Sequence, residues 1–254
     1  MESAEYHSAL AALAWQIELG ADESVSDSPV DRYDVPAAVV KPAAAPAASA
    51  GMPAPVQEVD LVAVARATAE TAQDIDGLRA ALMGFDHCDL KLGARNLVFS
   101  DGAPGARVMI ITETPTRDED REGRPFVGRA AQLLDKMLGA IDLSRESSVY
   151  IASVLPWRTP QDRDPKPEEI AMLLPFLQRH IALAQPDVLV LMGNQTCQAL
   201  LGKRGITRLR GEWVEVLGKP ALPMFHPEQL MRTPVAKRDA WADLLSVKAK
   251  LGNG

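Results

Sequence analysis

The sequence predicts an α/β protein: a three-layer α/β/α domain with a central four-stranded parallel sheet, preceded by an N-terminal helical extension. Two observations carry that expectation. Four short β-rich runs, "RVMIIT" (107–112), "SVYIASVL" (148–155), "DVLVLMG" (187–193) and "LPMF" (222–225), are each followed by a helical pattern, at 129–141, 167–184, 195–202 and 235–251. Strand alternating with helix means a parallel sheet covered on both faces. The chain is also large and apolar enough to bury a full core, with 254 residues of which 47% are hydrophobic and 24% charged.

In chain order, residues 6–19, "YHSALAALAWQIEL", place Leu10, Leu13 and Ile17 at helical spacing, and Gly20 supplies a stop. Residues 1–34 are therefore read as a helix and extension. Residues 35–57 are a Pro/Ala-rich, almost uncharged segment that favours extended, poorly packed backbone and reads as a linker. The remaining 58–254 form the α/β domain. It opens with one helix over 60–83, on a stripe of Leu61, Val64, Ile75, Leu78 and Leu82. No internal repeat is visible.

Several function classes are excluded early. No apolar run approaches the roughly 18 residues of a membrane span, and the acidic, Ala-rich N-terminus lacks the basic start of a signal peptide, so a soluble cytoplasmic protein without a membrane partner is expected. Two cysteines, Cys88 and Cys197, supply neither a disulfide framework nor a four-thiolate metal site, and neither metal nor cofactor is expected. A net charge of −7 argues against indiscriminate nucleic-acid binding, while leaving room for a local basic face such as "KRGITRLRG" (203–211).

In a parallel sheet the ligand sits beyond the carboxyl ends of the strands. Those ends are the segments Glu113–Gly128, Ser153–Arg163, Gly193–Asn194 and His226–Arg232. The first is unusual: Phe126 stands between Pro125 and the Val127-Gly128 step in a loop crowded with charge, either folded into the core or offered to something flat. Glu113 either positions a water or caps a turn. Trp157 reads as core more readily than contact. His226, directly after a strand, is a site candidate.

The strings "EDREGRPFVGRAAQLLDKML", "VYIASVLPWRTPQDRDPKPEE", "PDVLVLMGNQTCQALLG", "ITRLRGEW", "FHPEQLMRTP" and "KRDAWADL" resemble, in order and spacing, the uracil-DNA glycosylase superfamily, closest to its family 4 type. The resemblance covers about residues 85–250. It implies a monomeric enzyme that flips a nucleotide out of uracil-containing DNA and hydrolyses its N-glycosidic bond. It implies catalytic roles for Glu113, beside the attacking water and cationic sugar, for His226, a donor to the uracil O2, and for Glu119, with Asp120, as a second acidic pair. Phe126 would stack on the base, with Ser153, Thr114, Pro115 and Asn194 completing the substrate site. Arg158, Arg163, Lys203, Arg208, Arg210 and Arg232 would meet DNA, with Leu230 or Met231 filling the gap left by the flipped base.

Departures from the family pattern carry their own expectations. The four cluster cysteines common in family 4 fall at Phe85, Cys88, Trp157 and Leu173, so a single thiolate remains and no iron-sulfur cluster is expected. Thr112 and Thr116 replace both glycines of the first motif, and a different loop backbone is expected there. Ser153 stands where the family has an Asn, and its hydroxyl replaces one of that amide's two contacts. Two other readings use these features: a family member that binds damaged or single-stranded DNA without turnover, and a nucleoside- or nucleotide-processing enzyme on the same fold. The second lacks both common phosphate-loop motifs.

Overall fold

The structure, a computed structural model, describes residues 2–18 and 60–252. The chain divides into two compact units, Met1–Val56 and Gln57–Gly254. The expected linker 35–57 and the boundary at 34 lie outside the described residues. In the first unit, α1 (Glu2–Glu18) starts four residues before the expected helix, and its Tyr6, Leu10, Leu13, Trp15 and Ile17 are exposed. Among the described residues no helix is long and apolar enough to cross a membrane.

The second unit begins with two helices where the apolar stripe predicts one. Helix α2 (Leu61–Glu70) is capped by Asp60, whose side chain accepts from the Val62 and Ala63 amides, and α3 (Ile75–Met83) is capped by Asp74, which accepts from Gly77 N at 2.7 Å. A capping side chain at Asp74 satisfies a free helix-end amide, so the chain restarts there rather than continuing. Arg179 fixes the break by donating to the Ala72 carbonyl through Nε at 3.1 Å. Short α4 (Leu90–Gly93) leads to β1 (Ser100–Gly102) and β2 (Val108–Thr112).

Then come α5 (Arg117–Glu122), α6 (Gly128–Gly139), β3 (Val149–Ser153), α7 (Pro167–Ala184), β4 (Val188–Met192), α8 (Asn194–Leu201) and α9 (Ile206–Leu209). The chain closes with β5 (Val214–Val216), β6 (Lys219–Met224), α10 (Pro227–Arg232) and α11 (Lys237–Gly252). The sheet has the order β1-β3-β2-β4-β6-β5. Its centre, β3-β2-β4-β6, is the expected four-stranded parallel sheet. Every residue of β2, β3 and β4 is buried, as a sheet covered on both faces requires. Helices α2 and α3 pack on α7, while α10 and α11 pack on α6.

Two short antiparallel strands extend the expected sheet. β1 pairs with β3 and β5 with β6. The β5–β6 hairpin turns at Leu217-Gly218, both with positive φ, 51° and 74°. Such turns favour Asn-Gly, and Leu217 masks the signal.

The chain order positions the site. From β2 it crosses to β3 on one side and then returns past β2 to β4 on the other. The loops leaving β2 and β4 therefore diverge, opening a crevice at their carboxyl ends.

At the positions where the resemblance would put cluster cysteines, Phe85, Cys88, Trp157 and Leu173 are all buried in the apolar core, and Phe85 meets Phe176 edge-on with ring centroids 5.2 Å apart. One thiol beside a phenyl ring, an indole and a leucine does not fit an iron-sulfur cluster, which is held by four cysteine thiolates. Burial also pushes the Cys88 thiol up, away from the thiolate form. Purified protein should be colourless. Iron and sulfide analysis should find neither in stoichiometric amount, and a visible charge-transfer band would overturn this.

Candidate active site

His226 stands two residues past the end of β6 and caps α10. Its Nδ1 accepts from the Glu228 amide at 3.3 Å, and its Nε2 lies 3.0 Å from Thr112 Oγ1. An accepting Nδ1 places the proton on Nε2, so Nε2–H donates to the threonine hydroxyl. Burial, with the Arg232 charge nearby, lowers the pKa of the imidazole to about 4, leaving it neutral at physiological pH. The ring is stacked on Phe126, centroids 5.1 Å apart and planes 16° from parallel.

Phe126 does fold inward. Its ring is 1% exposed and its backbone is left-handed, φ 53°. Such a conformation in a bulky residue is strained and persists only when held from outside. Here it is held at both ends. The Phe126 amide donates to Glu119 Oε1 at 2.5 Å, and its carbonyl accepts from Arg145 Nη1 at 2.9 Å. Arg145 is itself fixed by Asp101 at 3.0 Å and Asp135 at 2.7 Å.

Glu119 is thus engaged on every side. Its Oε2 accepts from the amide and hydroxyl of Thr116, both at 2.8 Å, closing a capping box on α5. Asp120 accepts from the amides of Arg95 and Asn96. This geometry makes both acids holders of the loop rather than free bases, a different task from the catalytic one expected of Glu119.

Glu113 stands at the switch point between β2 and β4. Its Oε1 accepts from Gln195 N at 3.0 Å, at the start of α8. It lies against the bare α-carbon of Gly193, where a Cβ would fall 2.3 Å from Oε1 and φ is +94°. Only glycine admits the carboxylate there. Burial raises the Glu113 pKa against the pull of the Gln195 and Asn194 amides, with negative Asp164 and Glu228 adding to it. Glu113 also lines a cleft of about 840 Å³ with Thr114, Pro115, Gln195, Glu228 and Met231.

Thr114 N and Oγ1 both donate to Gln195 Oε1, at 3.1 and 2.7 Å. At the two replaced glycines the backbone is one that threonine adopts without strain. Neither threonine has positive φ; Thr116 sits at φ −75° and Thr112 continues β2 in register with Ser153. Residues paired in register on parallel strands share a face, so the Ser153 hydroxyl lies beside Thr112 on the side where His226 sits. Among the described residues, Ser153 Oγ is the buried side-chain polar atom with no hydrogen-bond partner.

The remaining expected residues divide. Met231 lines the cleft, whereas Leu230 is 1% exposed and belongs to the core. Asn194 Oδ1 is spent on the amides of Gly205 and Ile206, at 3.0 and 2.8 Å, and holds the basic loop rather than facing the main cleft. Arg210 is bound to buried Asp243 through Nε at 2.8 Å, a structural contact instead of a phosphate-facing one. Arg158 pairs with Asp162, Arg163 with Glu169, and exposed Arg232 with Glu228. Lys203 and Arg208 are exposed. Sequence reasoning missed Gln195, Arg117 and Arg129, all on the cleft wall. The signal for Gln195 was its place in the first turn of the helix that follows a strand-end glycine.

The strand ends of this parallel α/β sheet thus bring together a neutral histidine, a half-buried carboxylate and an unpartnered hydroxyl. The chain belongs to the uracil DNA glycosylase superfamily, whose model matches residues 99–245. It is similar to the type-4 uracil-DNA glycosylase of Thermotoga maritima, 40% identical over 148 residues that span 57% of this chain and 77% of that protein. It is also similar to the type-4 uracil-DNA glycosylase of Archaeoglobus fulgidus, 33% identical over 184 residues, 69% of this chain and 92% of that one.

Proposed function

We propose that this protein is a uracil-DNA glycosylase that hydrolyses the N-glycosidic bond of uracil, and of other deaminated bases, in DNA, leaving an abasic site. The observation that carries this reading is the cluster at the ends of β2, β3 and β6: the His226–Thr112 hydrogen bond beside the unpartnered Ser153 hydroxyl. An unmade buried hydrogen bond costs about 1–3 kcal/mol, which a base edge would recover.

In this reading the C1′–N bond breaks with its electron pair passing to the base, and the His226–Thr112 pair donates toward the carbonyl on which charge collects. Glu113 balances the cationic sugar and orients water, which adds to C1′ while its proton passes through solvent to the released base anion. Phe126 keeps His226 in plane and offers its ring to the base. Glu119 and Asp120 hold the loop. Met231 fills the gap in the stack, and Lys203, Arg208, Arg117 and Arg129 meet phosphates. The protein acts as a cytoplasmic monomer.

The test is an abasic-site cleavage assay across oligonucleotides bearing uracil, hypoxanthine or xanthine, run beside a binding assay on the same strands. Binding without release on any lesion, at high enzyme and long times, would overturn the reading. The pH profile is a sharper check. Because burial raises the Glu113 pKa and the ionised form is the useful one, base release should rise with pH through a midpoint above the ordinary 4.5 and be lost below it. Glu113→Gln should lower release, spare DNA affinity and abolish that acid limb; an unchanged limb assigns it elsewhere.

A further inference from the structure

The glycosylase reading treats Thr112 and His226 as one donor pair, and the hydrogen-bond geometry says which of the two faces the base. Thr112 is 3% exposed at the carboxyl end of β2, and its hydroxyl takes the Nε2–H of His226, the donor the reaction needs. The geometry fixes the polarity of that hydroxyl. The Glu228 amide occupies Nδ1, so the histidine donates and the threonine oxygen accepts. What Thr112 has left to offer a ligand is its own hydrogen. Beside it on β3, in register and on the same face, is the Ser153 hydroxyl, 8% exposed and without a partner. Neighbouring strands run ~4.8 Å apart, so the two hydroxyls form a short rail across the end of the sheet. Both lie too deep for any group on an intact duplex, and an extruded base is the part of DNA that enters such a depth.

We propose that Thr112 is a catalytic residue that touches the leaving base, donating its hydroxyl hydrogen to a base carbonyl oxygen, and that His226 acts through it as a positioning residue. This rests on the glycosylase reading. No proton need change owner. The His226 Nε2–H to Thr112 Oγ bond polarises the threonine O–H, and hydrogen bonds in such a chain strengthen one another as negative charge grows on the base. Ser153, free to donate or accept, meets the neighbouring group of the base edge. The pair thus recognises bases that carry a carbonyl beside a ring N–H, the pattern that deamination creates.

The experiment compares single-turnover base release from a uracil oligonucleotide with equilibrium binding to the same strand carrying non-cleavable 2′-fluorodeoxyuridine or thymidine at that position. Thr112→Val keeps the β-branched shape and removes the hydroxyl. Release should fall about 100-fold, the scale of deleting one fixed donor, while affinity for the thymidine strand stays unchanged. Thr112→Ser should restore release to within about tenfold of wild type. Residues acting as a unit are non-additive, so Thr112→Val with His226→Ala should be no slower than the slower single variant. Melting curves check folding, with Thr112→Ala standing in where the valine variant melts early. Release by Thr112→Val at or above the wild-type rate would show that His226 reaches the base itself and that Thr112 only competes for it. Multiplying effects in the double variant would show independent action. Either result overturns the proposal and leaves the glycosylase reading intact. A wild type that neither releases uracil nor prefers the 2′-fluorodeoxyuridine strand overturns both.

Discussion

His226→Ala should slow base release by roughly 100-fold, a loss of about 2.7 kcal/mol of transition-state stabilisation, comparable with removing an oxyanion-hole donor. The effect is large because the imidazole that polarises the Thr112 hydroxyl is neutral and fixed. The Glu228 amide sets its tautomer, Phe126 sets its plane and Thr112 sets its direction. Nothing has to reorganise when charge appears on the base. Alanine also removes the side-chain cap of α10, a cost of about 0.5–2 kcal/mol in stability, so release must be measured well below the variant's melting temperature. Affinity for undamaged DNA should hold. A variant that releases uracil within tenfold of wild type would remove the histidine from the chemistry.

Arg210→Ala should destabilise the fold by about 3–5 kcal/mol, the cost of leaving a buried charge without its partner. Asp243 on α11 is 1% exposed, and Arg210 meets it from the end of α9 while also donating to the Asp239 carbonyl at 2.9 Å. The two residues are 33 apart in the chain, so the pair ties the C-terminal helix to the sheet edge. Urea unfolding should show the loss directly. Lys203→Ala provides the contrast: stability unchanged, DNA affinity reduced and less dependent on salt. If Arg210→Ala instead keeps full stability and loses only DNA affinity, the arginine belongs to the phosphate-binding set after all.

Stability should also fall in mild acid. Burial lowers the pKa of both His226 and His180 to about 4, from an ordinary 6.5. Between those values the unfolded chain takes up protons that the folded one refuses, so melting temperature should drop as pH falls from 6.5 toward 4. A flat profile over that range would mean that neither histidine is held neutral by the fold.

What the sequence made legible was the part written in local pattern. The runs that became β2, β3 and β4 are short and rich in β-formers, and the sheet's topology makes their ends the site, so Glu113, Ser153 and His226 could be named from spacing. What it hid depends on partners far along the chain. Arg210 looks like any basic loop residue until Asp243 is folded against it. Helix α10 has six residues, too few for periodicity to show that Leu230 turns inward and Met231 toward the cleft. The break between α2 and α3 falls in the gap of the apolar stripe between Val64 and Ile75, where Asp74 supplies a cap that the stripe alone does not show. Glu119 is the instructive case. Thr116-x-x-Glu119 is a readable capping box, but the family resemblance drew attention to its charge instead of its spacing.

The double hold on the Phe126 backbone bears on affinity. Phe126 is 1% exposed, so in the glycosylase reading a base could lie against its ring only in a fraction of molecules where the loop had yielded. Apparent affinity equals the intrinsic affinity multiplied by that fraction, so whatever Glu119 and Arg145 contribute to closure is subtracted from base binding. The same subtraction applies to every normal nucleotide that flips spontaneously, and these vastly outnumber lesions. A closed resting population therefore acts as a threshold: a base must gain enough from the hydroxyl rail and the histidine to repay the opening, and one that matches them poorly slips back into the helix.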